Sequence, residues 1–438
     1  MSPGDTIVAP ATPFGFSGVA VIRISGPKAL LFAQKVTQKK KLKDRSATLV
    51  GFFNKKRERL DQTLITQFSA PASYTGEDMV EVSCHGNPVI VDGIVSTFLS
   101  CGARLADPGE FTYRAFINGK MDLVQAEGVS ALIKAKTIES AKEQQKIING
   151  ELSNNINKLR RDIINLVSFL EYQMDISEEN LSPKEQHEVS EKMQSLRKAC
   201  LALSKTFVRG KMLNLGVTTV ITGPPNVGKS SLLNTLCGEN LAIVSAEPGT
   251  TRDVIKSELV IDGVPFVFLD TAGIRKARSP IEKEGVARAK KFKEKADLII
   301  RVSDDPGAQH STTSAQPCVL VVNKADLHEK KPKKTIIHIS CKNKTGIEEL
   351  ILKIKKEMRL DSISSDLPLL STQRQNTAIK LCSKNIKNAL VLCKKSGFEL
   401  ELIAFELRSA IDALDVLLGK TTPEDIINNI FNNLCVGK

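Results

Sequence analysis

Three short stretches of this chain carry residue types and spacings suited to holding a nucleoside triphosphate. Gly223-Pro-Pro-Asn-Val-Gly-Lys-Ser230 has the glycine spacing of a phosphate loop. Its glycines let backbone N–H groups wrap the phosphates, Lys229 reaches the β and γ oxygens, and the Ser230 hydroxyl can ligate Mg²⁺. The contact run expected here is Asn226, Val227, Gly228, Lys229, Ser230 and Ser231. Asp270-Thr271-Ala272-Gly273 supplies a carboxylate for the metal's water shell and an amide at Gly273 that senses the γ-phosphate. Asn323-Lys324-Ala325-Asp326 follows another strand-like run. An aspartate there accepts both the N1 proton and the 2-amino group of guanine, a donor pair that adenine lacks. Ser340-Cys341-Lys342 is placed to back the base. Each piece alone also reads as a turn after a strand, but the ordered set implies a guanine-nucleotide site.

Between the phosphate loop and Asp270 lies Glu247-Pro-Gly-Thr-Thr-Arg-Asp253. Thr250 and Thr251 can offer a hydroxyl to Mg²⁺ and an amide to the γ-phosphate, coupling the loop to nucleotide state. A plain capped turn is the competing reading. The residue after Gly273 is Ile274, where many GTPases carry the glutamine that orients the attacking water.

The elements that must position these residues alternate strand and helix over roughly 215–357. VTTVIT leads into the glycine loop, SELVIDGVPFVFLD reads as a hairpin turning at Asp262-Gly263, and DLIIRVS, CVLVVNK and TIIHIS are short buried-strand runs. Upstream, Thr6 to Ala9, Val19 to Ser25 and Val80 to Ser83 read as strands, with helices after Gly26 and after Asn87. From about Gln125 the pattern turns helical. Ile148, Leu152, Ile156, Leu159, Ile163, Leu166 and Leu170 form one apolar stripe, which needs partners from Lys192 to Val208 and from the C-terminal stretch. There, Thr422-Pro423-Glu424 supplies a helix cap followed by proline in the first turn. The expected division is 1–120 α+β, 121–212 helical, 213–357 an inserted α/β nucleotide domain and 358–438 helical again.

A chain of 438 residues exceeds one ordinary core, and 41% hydrophobic with 25% charged residues suits a soluble globular protein. A net charge of +13 favours an anionic partner such as nucleic acid or a membrane surface, although solvated helix faces account for lysines equally well. The nine cysteines include no Cys-x-x-Cys pair, so neither a zinc site nor a disulfide scaffold is indicated. The N-terminus lacks a basic segment followed by an apolar core, no apolar run approaches a membrane span, and the expected location is cytoplasmic. His85 beside Cys84 has no further ligands nearby in sequence and reads as structural.

Over nearly its whole length the chain resembles the tRNA modification GTPase family MnmE, also called TrmE. The resemblance rests on DTIVAPATP, VIRISG, TGEDMVEVSCHG, PGEFTYRAFINGKMDLVQAEGV, the nucleotide motifs and the terminal Cys435-Val-Gly-Lys438. It implies an N-terminal domain that dimerises and binds a 5-formyl- or 5,10-methylene-tetrahydrofolate, a discontinuous helical domain and an inserted Ras-like G domain. It further implies a homodimer that works with the flavoprotein MnmG (GidA) to place an aminomethyl-type group on C5 of the wobble uridine, U34, of tRNA.

In that family two G domains meet face to face, and a K⁺ ion supplies the charge that other systems take from an arginine finger. The matching positions are Asn226, Ser245, Glu247 and Thr250, and Glu282 matches the glutamate that orients water. Glu282 also reads as an ordinary exposed helix residue, with Glu284 a close confounder. Family folate residues map onto Arg23, Glu81, Lys120 and Lys438, where arginine and lysine suit a glutamate tail and a carboxylate suits an aminopyrimidine. Cys435 matches the family's candidate thiol, although a free cysteine is more often a small buried hydrophobe. The segment from Val302 to Cys318 and the loop LHEKKPKKT are too short for the helices usual at these places, so the G domain reads as trimmed. Two other readings stand beside this one: a GTP-dependent RNA-binding switch such as a ribosome-assembly GTPase, and a GTPase timer on a helical scaffold with all tRNA chemistry on the partner.

Overall fold

A computed structural model describes residues 4–176, 181–238, 256–269, 296–308, 316–327, 336–360, 367–394, 399–432, 434 and 437. The chain forms two compact units, one of residues 1–133, 147–189 and 385–438, the other of residues 134–146 and 190–384.

The first unit contains a six-stranded sheet built from β1 (Ile7–Pro10), β2 (Ser17–Ser25), β3 (Thr48–Phe53), β4 (Arg59–Phe68), β5 (Met79–Gly86) and β6 (Arg104–Leu105). Its spatial order is β3-β4-β5-β2-β1-β6, antiparallel throughout except for β1 beside β6. Period-two alternation sorts the faces: Ile22, Ile24, Val80 and Val82 are buried, while Arg23 and Glu81 lie between them on the opposite side. Helices Ala29–Thr37 and Pro88–Cys101 cover the apolar face, and the Phe52 and Phe98 rings meet edge-on at 5.4 Å. The second helix starts as its sequence predicts. Asn87 accepts from the Val89 amide, proline occupies the first turn, and Gly102 closes the end at φ +106°.

The helical part of this unit is organised by Glu151–Ile176, whose Leu152, Ile156, Ile163, Leu166 and Leu170 are buried as the stripe requires. Ile148 departs from it, closing the preceding helix Ile138–Ile148 because Gly150 at φ +88° interrupts the register. The C-terminal partner of the stripe is Leu400–Leu418, fastened by a two-pronged Arg160–Asp415 pair at 2.5 and 3.0 Å. Ahead of the last helix, Glu424–Asn432, the Thr422 hydroxyl donates to the Val416 carbonyl at the end of the preceding helix. Phe431 then packs against Tyr113 and Phe116, and Gly437 comes so close to Pro10 that a Cβ there would lie 2.2 Å from its carbonyl oxygen.

The second unit holds β7 (Val217–Thr222), β8 (Lys256–Ile261), β9 (Val264–Leu269), β10 (Leu298–Ser303), β11 (Cys318–Val322) and β12 (Ile337–His338). The order is β12-β11-β10-β7-β9-β8, parallel except for the β8–β9 hairpin. That hairpin turns where the sequence places it, with Asp262 and Gly263 both at positive φ. Parallel strands are largely covered on both faces, so β11 reads as an unbroken apolar run and β10 as one broken only by the exposed Arg301 and its final Ser303. Because β7, β10, β11 and β12 run the same way, the loops leaving them gather along one edge of the sheet. The sheet and its order are those of the Ras-like α/β fold that the family resemblance implies. Of the short β10–β11 connection, residues up to 308 make a turn in which Asp305 accepts from the Gly307 amide, and 309–315 lie outside the described residues.

Candidate functional site

The phosphate loop links β7 to the helix Lys229–Gly238, and its glycines stand where neighbours leave no room for a side chain. A Cβ on Gly223 would lie 2.1 Å from the Val302 carbonyl oxygen, and one on Gly228 2.1 Å from Asn323 Nδ2, at φ +148° and +92°. Asn226 takes φ +63°, the left-handed region that asparagine tolerates, and its side chain is exposed at the crest of the loop. Val227 is buried below it. Lys229 Nζ donates to the carbonyls of Gly223 at 3.1 Å and Pro224 at 2.5 Å, so the ammonium lies against the loop. Ser230 and Ser231 open the helix, both exposed. A helix N-terminus with free amides and an ammonium beside it attracts phosphate oxygens.

Asn323 follows β11 and is almost wholly buried. Its Nδ2 donates to the Val227 carbonyl at 2.9 Å, while its Oδ1 accepts from the Cys341 amide at 3.2 Å. One amide side chain therefore clamps the phosphate loop to the loop after β12. Three residues on, in the tight turn Ala325–Leu327, Asp326 accepts from Ser340 Oγ at 2.5 Å, and Ser340 Oγ in turn accepts from the Asn343 amide. Lys324 has φ +63° and pairs with Asp304 at 2.9 Å. Cys341 is partly buried, and burial pushes its thiol up; Lys342 is exposed. The structure brings the sequence-named Asn323, Lys324, Asp326, Ser340, Cys341 and Lys342 to one edge; the bracing role of Asn323 and the pairing of Asp304 were not read from the sequence. The position of Asp304 directly after β10, on the edge where the parallel strands end, is the signal that could have found it.

Ser245, Glu247, Thr250, Thr251, Asp270, Thr271, Ala272, Gly273 and Glu282 lie outside the described residues, as do Cys435 and Lys438. Among the described residues no cluster of three or more histidine, cysteine, aspartate or glutamate side chains could hold a metal, and no helix is long and apolar enough to cross a membrane.

A second polar group occupies the open face of the first sheet. Arg23 and Glu81 are directly opposite on β2 and β5 and bond at 2.7 Å, about three-quarters covered. Arg23 also donates to the Gly437 carbonyl at 3.3 Å and lies 5.7 Å from the centre of the Tyr74 ring. Burial raises the Tyr74 phenol, whose oxygen shares a hydrogen bond with Thr112. Lys120 donates to the Pro71 carbonyl at 3.1 Å, at the other end of the loop that carries Tyr74. Arg23 and Glu81 are thus joined directly, and Lys120 is tied to their loop.

Sequence reasoning missed an ionic network in the same unit. Glu110 is fully buried and holds both Arg104 and Arg114, which also reach Asp5, and Arg114 continues to Glu77. Burial alone would raise the Glu110 carboxyl, but bonds from Arg104, the Asp107 amide and Arg114 outweigh it and hold it below the usual range. The i,i+4 spacing of Glu110 and Arg114 in EFTYRAF was the available signal. Cys84 is buried and its thiol is pushed up to about 11 by burial and by the charge of Asp61, while His85 is exposed and bonds Asp61 at 2.8 Å. Thiol and imidazole make no nucleophile pair, as expected.

Residues 6–120 match the family model described as the GTP-binding protein TrmE N-terminus, and residues 123–435 match the MnmE helical domain. A protein named tRNA modification GTPase MnmE from Fervidobacterium nodosum is 38% identical over 99% of this chain and 98% of its own length. One of the same name from Francisella tularensis subsp. tularensis is 38% identical over 99% of both. Among solved structures, the FeoB G-domain from Methanococcus jannaschii is 27% identical over 33% of this chain and 98% of that one, with a TM-score of 0.24.

Proposed function

Since the chain belongs to the tRNA modification GTPase MnmE family and is a GTPase of tRNA modification, we propose that it serves C5 modification of the wobble uridine, U34, through K⁺-dependent GTP hydrolysis. In this reading it works as a homodimer beside a flavoprotein of the MnmG (GidA) type and installs a (carboxymethyl)aminomethyl-type group. The observation that carries the nucleotide part is the Asn323 clamp, which joins the phosphate loop to the Asp326–Ser340 pair within one rigid edge.

Lys229 and the first amides of its helix bind the β and γ phosphates. Asp326, oriented by Ser340, accepts the two guanine donors. The exposed hydroxyl of Ser230 and amide of Asn226 are hard oxygen donors of the kind that suit Mg²⁺ and K⁺ respectively. Thr251 would complete the Mg²⁺ set with Ser230, and Ser245, Glu247 and Thr250 the K⁺ set with Asn226; the two cations supply positive charge against that developing on the γ-phosphoryl group. Asp270 and Gly273 are assigned to the metal's water and the γ-phosphate, and Glu282 to orienting the attacking water, so isoleucine at 274 is tolerated. On the first sheet, Arg23 and Glu81 fit the tail and aminopyrimidine of a tetrahydrofolate, with Lys120 and Lys438 as further cations, and the bound folate supplies a one-carbon unit. Cys435 is assigned as the candidate thiol. The division at 120, 212 and 357 and a cytoplasmic location belong to the same proposal.

Nucleoside analysis of tRNA after deleting the gene tests the reading: loss of the C5-modified uridine is expected, and an unchanged nucleoside profile overturns it. GTP turnover is expected to be faster in K⁺ than in Na⁺, and equal rates would remove the cation from the mechanism.

A further inference from the structure

One strongly basic stretch of the chain flanks the edge of the first sheet. Residues 35–59 carry ten lysines and arginines against two carboxylates, a net +8 of the chain's +13. They surround β3, the outermost strand of the first sheet, which itself holds no charged residue. One cluster, Lys39, Lys40, Lys41 and Lys43, lies in the segment entering β3, which runs beside the end of β4 where Asp44 bridges Gln67. The other, Lys55, Lys56 and Arg57, forms the turn between β3 and β4. All seven side chains are exposed, and no salt bridge reaches them among the described residues. The two carboxylates are taken up locally, Asp44 by Ser69 and Glu58 by Asn54.

The clusters sit at opposite ends of β4, eight residue steps from Arg59 to Gln67, or about 26 Å at the rise of a strand. A duplex presents one phosphate charge per roughly 1.7 Å, so that span faces about fifteen phosphates. The scaffold is stiff: Leu42 is buried in the core between the lysines, and the Arg45 guanidinium bonds the Ala72 carbonyl and stacks near Phe68. The basic residues flank the edge strand and none lies on it, since β3 itself carries no charged residue. An anionic bilayer is fitted by basic residues interleaved with exposed apolar ones. Within 39–43 the one apolar residue points inward and 54–58 contains none; the exposed Leu49 and Leu64 lie on the paired strands between the clusters and are not interleaved with the lysines.

We propose that this hairpin edge docks the sugar-phosphate backbone of folded RNA, holding the tRNA while its modification proceeds; the identity of the RNA rests on the function proposed above. Phosphate contacts position without reading sequence, so an unrelated duplex RNA should use the same surface.

The test is equilibrium binding of an unmodified tRNA transcript to the full-length protein across a NaCl series at fixed K⁺. Replacing Lys39, Lys40, Lys41 and Lys43 by Gln is expected to weaken binding at least about tenfold and to lower the slope of log K against log salt by about two to three. The corresponding Lys→Arg variant should restore both, and GTP turnover without RNA should be unchanged in each. If the wild type binds the transcript and the Gln variant keeps its affinity and slope, the docking surface is elsewhere and the proposal falls, while the nucleoside analysis still stands for the function. A wild type that sediments with phosphatidylserine vesicles but does not bind the transcript overturns it in favour of a membrane surface.

Discussion

The two six-stranded sheets of this protein present their polar groups in different ways. In the second, mostly parallel sheet, the nucleotide-motif residues sit in loops beyond the strand ends, and the central strands β10 and β11 are mostly apolar. In the first, mostly antiparallel sheet, Arg23 and Glu81 project from the middle of paired strands, and the same unit holds an ionic network centred on the buried Glu110 and Arg114. A loop site is held by backbone amides and a few side-chain clamps, whereas a face site depends on strand register and on charges that must stay paired. The contrast teaches that one substitution can remove specificity from the loop site without unfolding it, while the buried charges of the first unit carry stability first.

The largest expected effect falls on the network. Arg114→Met leaves Glu110 and Glu77 short of a partner in a buried setting and should cost about 3–5 kcal/mol in urea unfolding of the full chain. The pH dependence has a defined sign. Burial raises the carboxyls of Asp5 and Glu110, but the bonds from Arg104 and Arg114 outweigh it and hold both below their ordinary values near 4. Their contribution is complete above that range and is lost as pH falls through the lower folded-state values. The wild type should therefore weaken on acidification below about pH 4, and Arg114→Met should lose less there. A variant as stable as the wild type would erase the distinction between the sheets.

Next comes Asp326→Asn, expected to reduce GTP affinity roughly a hundredfold, since two charge-assisted bonds to guanine are affected, with the urea midpoint unmoved. Binding of xanthosine triphosphate should rise in compensation, and retention of guanine preference would place recognition elsewhere. Arg23→Met should be milder in stability, under about 1 kcal/mol because the pair is partly solvated. Binding of 5-formyl-tetrahydrofolate to the same variant should fall at least about tenfold, and unchanged binding would unseat the face site. The smallest effect concerns one thiol from each sheet: burial raises both Cys84, to about 11, and Cys341, so iodoacetamide should label neither appreciably at neutral pH. Rapid labelling of either would contradict its packing.

The nucleotide loop, the hairpin at Asp262-Gly263 and the capped helix after Asn87 were legible because each depends on residues adjacent in the chain, where glycine, asparagine and proline act through backbone geometry. The apolar stripe was legible by period, except at Ile148, where Gly150 resets the phase. The resemblance names Arg23 and Glu81 together, and strand register is what sets them directly opposite one another.

What the sequence by itself determined is the ordered set of nucleotide motifs, the alternation that builds each sheet and the concentration of charge around β3, since all of these are local patterns of residue type. Tertiary structure decided the rest: that Asn323 braces a loop 96 residues away, that Arg23 meets a carboxylate 58 residues on, and that Arg114 reaches back 109 residues to Asp5. Those partnerships follow from strand order and register. Burial then makes them obligatory, because a charge or amide removed from water is tolerated only where another group answers it.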